Sequence, residues 1–445
     1  MRTYQSGRFE PKGLACSLLL FGMLWISIAL MQDFDLRGVL KALILIGVAI
    51  ATAALTWSIE RTESERGQPT PVLVWIIVVL ALLLTVLAVV SPSRLTTVEA
   101  VAVAVAPFVA SLFGGRRIMV IKRLPSILAF ICVALALNRL HSAFGYLNEP
   151  DMEDIGKTTI AAVHTVLAGQ NPYAAPIDLH PEYPIFPGYK YLPMMIAAYA
   201  PLVSGFGETG LRLTNIVLDA SLALAVMLVA RQMAGTFAGL LALAAYLMLP
   251  VLPPDIYKHG VTDLAPVLPL VFALAISQSR PGRAGLLVGL SIASKLFPGL
   301  LVALCCLRPR NLVHYIIGGL IGVVPAFVFL IWGPAQFTQN VFMFILTRPM
   351  DETSWMYGLP PIIPMMAKLI YFVFLLSVLI YLVKTRTNMV RRCGLIILCV
   401  IGAILTGPDA HNNYIIWWIP FFCILLGSQV SYIISEGKVP SGERA

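Results

Sequence analysis

Nine residues, NEPDMEDIG at 148–156, hold four carboxylates: Glu149, Asp151, Glu153 and Asp154. The whole chain of 445 residues has only 22 acidic ones. Later segments add to this store. DIYKHGVTD brings Asp255, Lys258, His259 and Asp263, and GLSIASKLFPG brings Lys295. TRPMDETSW brings Arg348, Asp351 and Glu352, and GPDAHNNY brings Asp409, His411, Asn412 and Asn413. Lys157, His164, His180 and Lys190 come soon after the first stretch. Carboxylate, imidazole and cation together can run transfer from a sugar phosphate. A carboxylate takes the proton of the acceptor hydroxyl, and cations hold the departing phosphate.

Each residue also has a quieter reading. Asp151 or Asp154 can cap the next helix. Lys190 can be a lysine snorkelling to a membrane interface. The histidines can be interfacial hydrogen-bonders; their spacing is not that of a metal site, and no metal or other cofactor is expected. Arg348 can pair with Asp351 or Glu352 in a surface bridge of little energetic value. Asp219, inside the apolar run 211–230, needs a cation such as Arg139 or Lys295, and is either structural or pocket-lining. Lys295 has the weakest quiet reading, because it stands at the centre of the apolar run 285–307.

The elements that must position these groups are apolar. Hydrophobic residues make up 59% of the chain and charged ones 12%, with a mean hydropathy of +0.86; about a quarter would be charged in a soluble domain. Runs such as 13–31, 40–57, 71–90, 313–332 and 361–383 have the length of about 20 residues that a bilayer requires. An all-α polytopic membrane protein is implied, with about 14 transmembrane or partly spanning helices. A β-barrel would alternate in short strands instead. The net charge of +9 does not imply nucleic acid, since the basic residues cluster between apolar runs as the positive-inside rule predicts. All seven cysteines lie in or beside apolar runs, so neither a disulfide framework nor a zinc site is indicated. The start, MRTYQSGRFEPKG, lacks a small-x-small cleavage site and reads as an uncleaved signal anchor.

Basic clusters orient the chain. Placing both termini, Arg61 and Arg66, the cluster 116–123, Arg231, Arg280, Arg283, Arg308, Arg310 and the cluster 384–392 on the cytoplasmic side collects 20 of the 31 basic residues and only six of the 22 acids. This requires two departures from simple spans. Residues 191–205 must lie in or dip into the outer leaflet. The run 285–307 must break near Ser294–Lys295, which puts the lysine in a wet cavity instead of the bilayer core. The result is a multi-pass plasma (inner) membrane protein whose ionisable cluster faces the outer, periplasmic side. NEPDMEDIG then opens an outer loop of roughly 50 to 70 residues after a fifth span near 125–140, longer than compact connections usually are. In it, IGKTTIAAVHTVLAG predicts an interfacial helix with Ile160, Val163 and Leu167 on one face and Gly169 as its stop. NPYAAPIDLHPEYPIFPGYKYLP, dense in Pro and Tyr, predicts an ordered, turn-rich interfacial surface.

The run DIGKTTIAAVHTVLAGQNPY, Asp154 to Tyr173, resembles the first outer loop of GT-C membrane glycosyltransferases that use polyprenyl-phosphate sugars, particularly the PimE-like mannosyltransferase branch. There an aspartate soon after a transmembrane helix precedes a helix ending in G-x-x-P-Y. YLP at 191–193 with APL at 200–202 resembles the family's Y-x-P helix. GLSIASKLFPGLL, with Lys295 and Pro298, resembles its G-x-x-K-x-x-P broken helix, and HNNYIIWWIP its late Y-x-x-W-x-x-P span. The four occur in the family's order over 125–435.

The resemblance implies a GT-C-like fold and a polyprenyl-phosphate-linked sugar donor, with a lipid or glycan as acceptor. It makes Asp154 the catalytic base, with Asp151 as alternate, puts Lys295 near the donor phosphate, and has Tyr414 line the site. Position and charge add Lys190, Arg348 and His411 on the phosphate side, with Tyr173, Tyr191, His259, Asp263 and Asn413 in the substrate pocket. Residues 125–435 form the expected catalytic core, 141–210 its outer loop, and 436–445 a cytoplasmic tail. Residues 1–124 form an accessory unit, a departure from the single span that usually precedes this loop. Membrane lipids surround the protein, and nucleic acid is not a partner. No Walker or Rossmann glycine loop faces the cytoplasm, which argues against a nucleotide-sugar donor. A flippase or transporter of lipid-linked saccharides would instead carry charge through the membrane depth and show inverted repeats. A polysaccharide ligase or polymerase would share the long outer loop but lack a single base carboxylate beside its helix. A scaffold would have no need of Lys295.

Overall fold

The computed structural model describes residues 46–47, 117–179, 186–249, 252–307, 311–385, 387–409 and 411–436. Apart from 46–47, the expected spans one to four lie outside the described residues, as do the tail after 436, His180, Arg308, Arg310 and Arg386. The described chain is helical. Among its residues the sole β feature is an isolated antiparallel bridge between Ile177 and Phe186. The helices of more than ten residues are α1 (Arg117–Gly145), α2 (Asp154–Leu167), α3 (Pro193–Ala234), α4 (Thr236–Leu247), α5 (Leu264–Ile276), α6 (Pro281–Ile292), α7 (Leu296–Cys306), α8 (Leu312–Trp332), α9 (Ile362–Lys384), α10 (Met389–Thr406) and α11 (Ile419–Glu436). Among the described residues, α1, α3, α8, α9 and α10 are long and apolar enough to cross a membrane. Shorter apolar helices are α4, α5, α7 and the first part of α11. Phe130, Ile331, Ile370 and Phe372 face outward, as a lipid solvent permits.

The described residues divide into two compact units, one drawn from 1–136, 226–251 and 421–445, the other from 137–225 and 252–420. In the first, the Cys132 thiol donates to the Leu240 carbonyl over 3.3 Å and Ser431 Oγ to the Ala234 carbonyl over 2.7 Å. Gly427 lies so close to Ala238 and Ala242 that a Cβ would collide.

The second unit carries the ionisable groups. Its tightest seam joins α6 and α8, where Gly282, Gly285 and Gly289 face Gly318, Gly319 and Gly322. A Cβ at Gly285 would land on the Tyr315 carbonyl, and one at Gly318 on that of Gly282. Small residues let helix backbones approach in this way where dispersion must drive packing. The expected break near Ser294–Lys295 is present, and α3 has a kink of its own. Gly207, at φ 53° and ψ −125°, splits α3 with a backbone that other residues resist. α6 ends at Ile292 and α7 starts at Leu296, with Lys295 extended between them (φ −151°, ψ 126°). Gly169, at φ 75°, lies just past the end of α2. The expected apolar stripe of α2 needs correction. The buried face holds Ile155, Thr158, Thr159, Ala162 and Val163, while Leu167 is exposed. Thr159 turns inward because its hydroxyl meets the buried Tyr189 hydroxyl at 3.2 Å.

Candidate active site

One face of α3 holds the two loops from which the site is built. Arg212, Asn215 and Asp219, spaced three and four apart, align on that face. The Arg212 side chain is buried, and its guanidinium donates to the carbonyls of Leu147 and Glu149 in the first loop and of Tyr257 and Lys258 in the second. Asn215 Nδ2 donates to the carbonyls of Ile256 (2.7 Å) and Val261 (3.0 Å), and its own oxygen accepts from Tyr199. Asp219 takes a two-pronged contact from Arg139 (3.0 and 3.1 Å) and accepts from the Tyr257 hydroxyl. Its cation is therefore Arg139, and its role is to anchor Tyr257. The Glu153 N–H closes the assembly by donating to the His259 carbonyl at 2.9 Å.

Three carboxylate–cation pairs then stand together. Asp154, the first residue of α2, accepts from Lys190 Nζ at 2.7 Å. Asp263 is wholly buried, accepting from Lys295 Nζ (2.6 Å) and Trp417 Nε1 (2.6 Å) on one oxygen and from Asn413 (2.8 Å) on the other. Asp409 pairs with Arg348 at 2.6 Å, accepts from the Tyr414 hydroxyl at 2.6 Å and lies 3.4 Å from His411 Nε2. Aromatic rings join the pairs. Lys190 Nζ lies 5.6 Å and Lys295 Nζ 5.3 Å from the centroid of the Tyr191 ring, so the ammonium groups are no farther apart than the sum of those distances. Lys190 and Arg348 share the Phe344 ring at 5.7 Å each, and Lys295 sits 5.7 Å from the ring of Tyr414.

The quieter readings fare unevenly. The N-cap of α2 is Glu153, with no side-chain cap bond, so neither Asp151 nor Asp154 caps it. Lys190 is 13% exposed, held by a carboxylate and rings and not reaching for solvent. Arg348 pairs with Asp409 instead of Asp351 or Glu352. Burial pushes the Tyr191 phenol well above its ordinary pKa, helped by Asp154, Tyr414 and Asp263, and pushes Tyr414 up in the same way with help from Asp409. Both remain neutral donors. Burial lowers His411 below the usual imidazole value, against the pull of Asp409.

A second group lies along the rim. Asp151, with 58% of its side chain exposed, pairs with Lys258 at 2.9 Å, which lowers the carboxyl and raises the amine. His259 is lowered mainly by burial, and its Nδ1 stands 4.0 Å from Glu153. Glu153 is pushed up to about 7 by burial on its inner side and then by the charges of Asp154, Asp263 and Asp151. Burial raises Asp255 to about 7 as well, with repulsion from Glu153 and Asp263, and its Oδ2 is buried with no hydrogen-bond partner.

Of the residues expected at the site, Asp154, Lys190, Lys295, Arg348, His411, Tyr191, Asp263, Asn413 and Tyr414 come together. Asp151 and His259 stand apart on the rim. Tyr173 belongs to the core behind the site: it is fully buried, its hydroxyl donates to the Tyr191 carbonyl at 2.8 Å, and its ring packs on Tyr189, Phe329 and Phe337. Arg212, Asn215, Tyr257, Phe344 and Trp417 were not expected. Of these only Trp417 had a signal, in the WW pair downstream of His411.

No protein-family model and no curated protein matches the chain. Among solved structures, it is similar to ArnT from Cupriavidus metallidurans bound to undecaprenyl phosphate, at 16% identity and a TM-score of 0.49. The match covers 67% of this chain and 59% of that one, and a likeness of that degree decides neither fold nor activity.

Proposed function

We propose that the chain is a membrane glycosyltransferase. It moves a hexose or pentose from a polyprenyl-phosphate donor to a hydroxyl of a lipid or glycan acceptor at the outer face of the plasma membrane. The observation that carries this reading is the pairing of Asp154 with Lys190 at 2.7 Å, on the same Tyr191 ring that Lys295 approaches. A candidate base and two phosphate-binding cations thus share one aromatic wall. Each ammonium has three donors, and a guanidinium has five, so the resting carboxylate contacts leave N–H groups free for a phosphate. In the step itself, the acceptor oxygen bonds to the anomeric carbon while the bond from that carbon to the phosphate oxygen breaks. The hydroxyl proton goes to Asp154, and the electron pair leaves with the polyprenyl phosphate toward Lys190, Lys295 and Arg348. An apolar cleft begins two residues beyond Arg348, lined by Met350, Met356, Leu359, Pro364 and Met365. Adaptable methionine walls suit a hydrocarbon chain.

The test is release of free polyprenyl phosphate from a panel of labelled polyprenyl-phosphate hexoses and pentoses, mannose first given the resemblance of the first loop. Release that depends on protein and acceptor supports the reading. Donor that crosses a vesicle bilayer uncleaved replaces it with a transporter.

A further inference from the structure

We infer that Glu153 and Asp255 form an acceptor subsite beside Asp154 that holds hydroxyl groups of a polyol, so that the acceptor presents a sugar-like ring and not a lone alcohol. The inference rests on the proposed transferase reading and adds the acceptor class to it. In the three inner pairs every carboxylate is already bound to a cation: Asp154 to Lys190, Asp263 to Lys295 and Asp409 to Arg348. Asp151 on the rim is bound to Lys258. Glu153 is different, since its nearest basic group is a His259 nitrogen 4.0 Å away. Asp255 has a buried oxygen with no partner at all, and it lies close enough to Glu153 and Asp263 for each to repel it. A buried acceptor left unmatched is costly unless something donates to it. Neighbouring hydroxyls of a sugar ring are neutral donors that can satisfy two carboxyls without adding charge.

Access agrees with this assignment. Half of the Glu153 side chain is exposed and 30% of that of Asp154, whereas Lys190 and Lys295 are each only 13% exposed. An acceptor therefore meets Glu153 and Asp154 before Lys190 or Lys295, with Arg348 about as open as Asp154 at 29%. The mounting is rigid, because the Glu153 N–H is bonded to the His259 carbonyl and Arg212 ties the preceding Glu149 to the loop of Asp255. A site built to hydrogen-bond substrate hydroxyls discriminates strongly against analogues that lack them.

The experiment compares two probes with the same alkyl chain, octyl α-D-mannopyranoside and octan-1-ol, using whichever panel donor the full-length protein turns over. Transfer to the glycoside and hydrolysis of donor by water are measured together. Wild type should prefer the glycoside by tenfold or more. Glu153→Gln and Asp255→Asn should raise the glycoside KM about ten- to hundredfold, the size of a lost hydrogen bond to a charged group. The ratio of transfer to hydrolysis should fall with it, and Glu153→Asp should recover part of the loss. Equal use of octan-1-ol by wild type, or an unchanged ratio in Glu153→Gln, overturns the subsite while leaving the transferase standing. Absence of any donor cleavage by wild type overturns the transferase and the subsite with it. If Asp255→Asn does not fold, the Glu153 variants decide alone.

Discussion

Lys295→Met is the most informative single change, because the structure gives the lysine two competing roles. Its ammonium reaches Asp263 at 2.6 Å, and that carboxylate is 0% exposed. Removing the cation leaves a buried negative charge with only Asn413 and Trp417 donating to it. Breaking a buried pair from one side costs about 3–5 kcal/mol. The two neutral donors keep the expected loss near the lower end, about 3 kcal/mol. Lys295→Met should therefore unfold at clearly lower temperature in detergent than wild type. Lys295→Met with Asp263→Asn should regain most of the loss, since the orphaned charge is gone and an amide still accepts from Trp417. The cycle should give a coupling of about 2–3 kcal/mol, at the upper end for residues in contact. Donor binding, measured with a labelled polyprenyl-phosphate sugar, then separates structure from function. If the lysine holds phosphate, the double variant is stable and binds donor poorly. A Lys295→Met protein as stable as wild type would refute the buried-pair reasoning. A double variant with normal donor affinity would reduce the lysine to a partner of Asp263.

Asp154→Asn should keep yield and stability while removing transfer activity by about 10²–10⁴-fold, the usual worth of a general base; full turnover would leave the reaction without its proposed base. Gly318→Leu should destabilise the fold by several kcal/mol or prevent insertion, because its Cβ would meet the Gly282 carbonyl; wild-type melting would mean that α6 and α8 are not in contact. Glu153 and Asp255 sit near 7 in the folded chain against 4.5 and 3.8 as ordinary values, so the folded state binds more protons than the unfolded state between about pH 4 and 7, and this contribution to stability falls as pH rises through that window; Glu153→Gln should flatten the fall in melting temperature. A cysteine at Gln170 should react with an impermeant thiol reagent from the outer side and one at Gln278 should not; the reverse result would overturn the orientation.

What could be seen in the sequence was whatever the bilayer makes expensive. A lysine in the middle of 285–307 forced a break, and the break is there at Lys295. α3 has a kink at Gly207 as well, where glycine is the residue that accepts the backbone. The identity of partners was hidden, because a pair such as Lys295 and Asp263 is separated by 32 residues and only the fold decides which acid meets which cation. Arg212 was hidden more deeply. It acts on the carbonyls of Leu147, Glu149, Tyr257 and Lys258, and every residue has a carbonyl, so no residue type marks its targets. Tyr173 misled for the opposite reason. It stands in the stretch that carries the resemblance, but its hydroxyl supports the backbone of Tyr191 from behind.

The pairing of Asp154 with Lys190 also changes what a base at this position can do. An aspartate held 2.7 Å from an ammonium balances that cation at rest. In the proposed reaction the proton transfer itself undoes that balance. Once Asp154 takes the acceptor proton it is neutral, and the Lys190 charge it had been balancing is released at the moment when negative charge grows on the departing phosphate. Electrostatic stabilisation counts toward rate only where it is stronger in the transition state than in the ground state. A cation neutralised at rest and freed by the proton transfer meets that condition, whereas a permanently unpaired lysine would bind donor and product phosphate alike. Asp263 and Asp409 each take three side-chain contacts and lie deeper, so their pairs keep the pocket's charge fixed. The Asp154–Lys190 pair, more open and joined by one short contact, is the one that changes state in the proposed reaction.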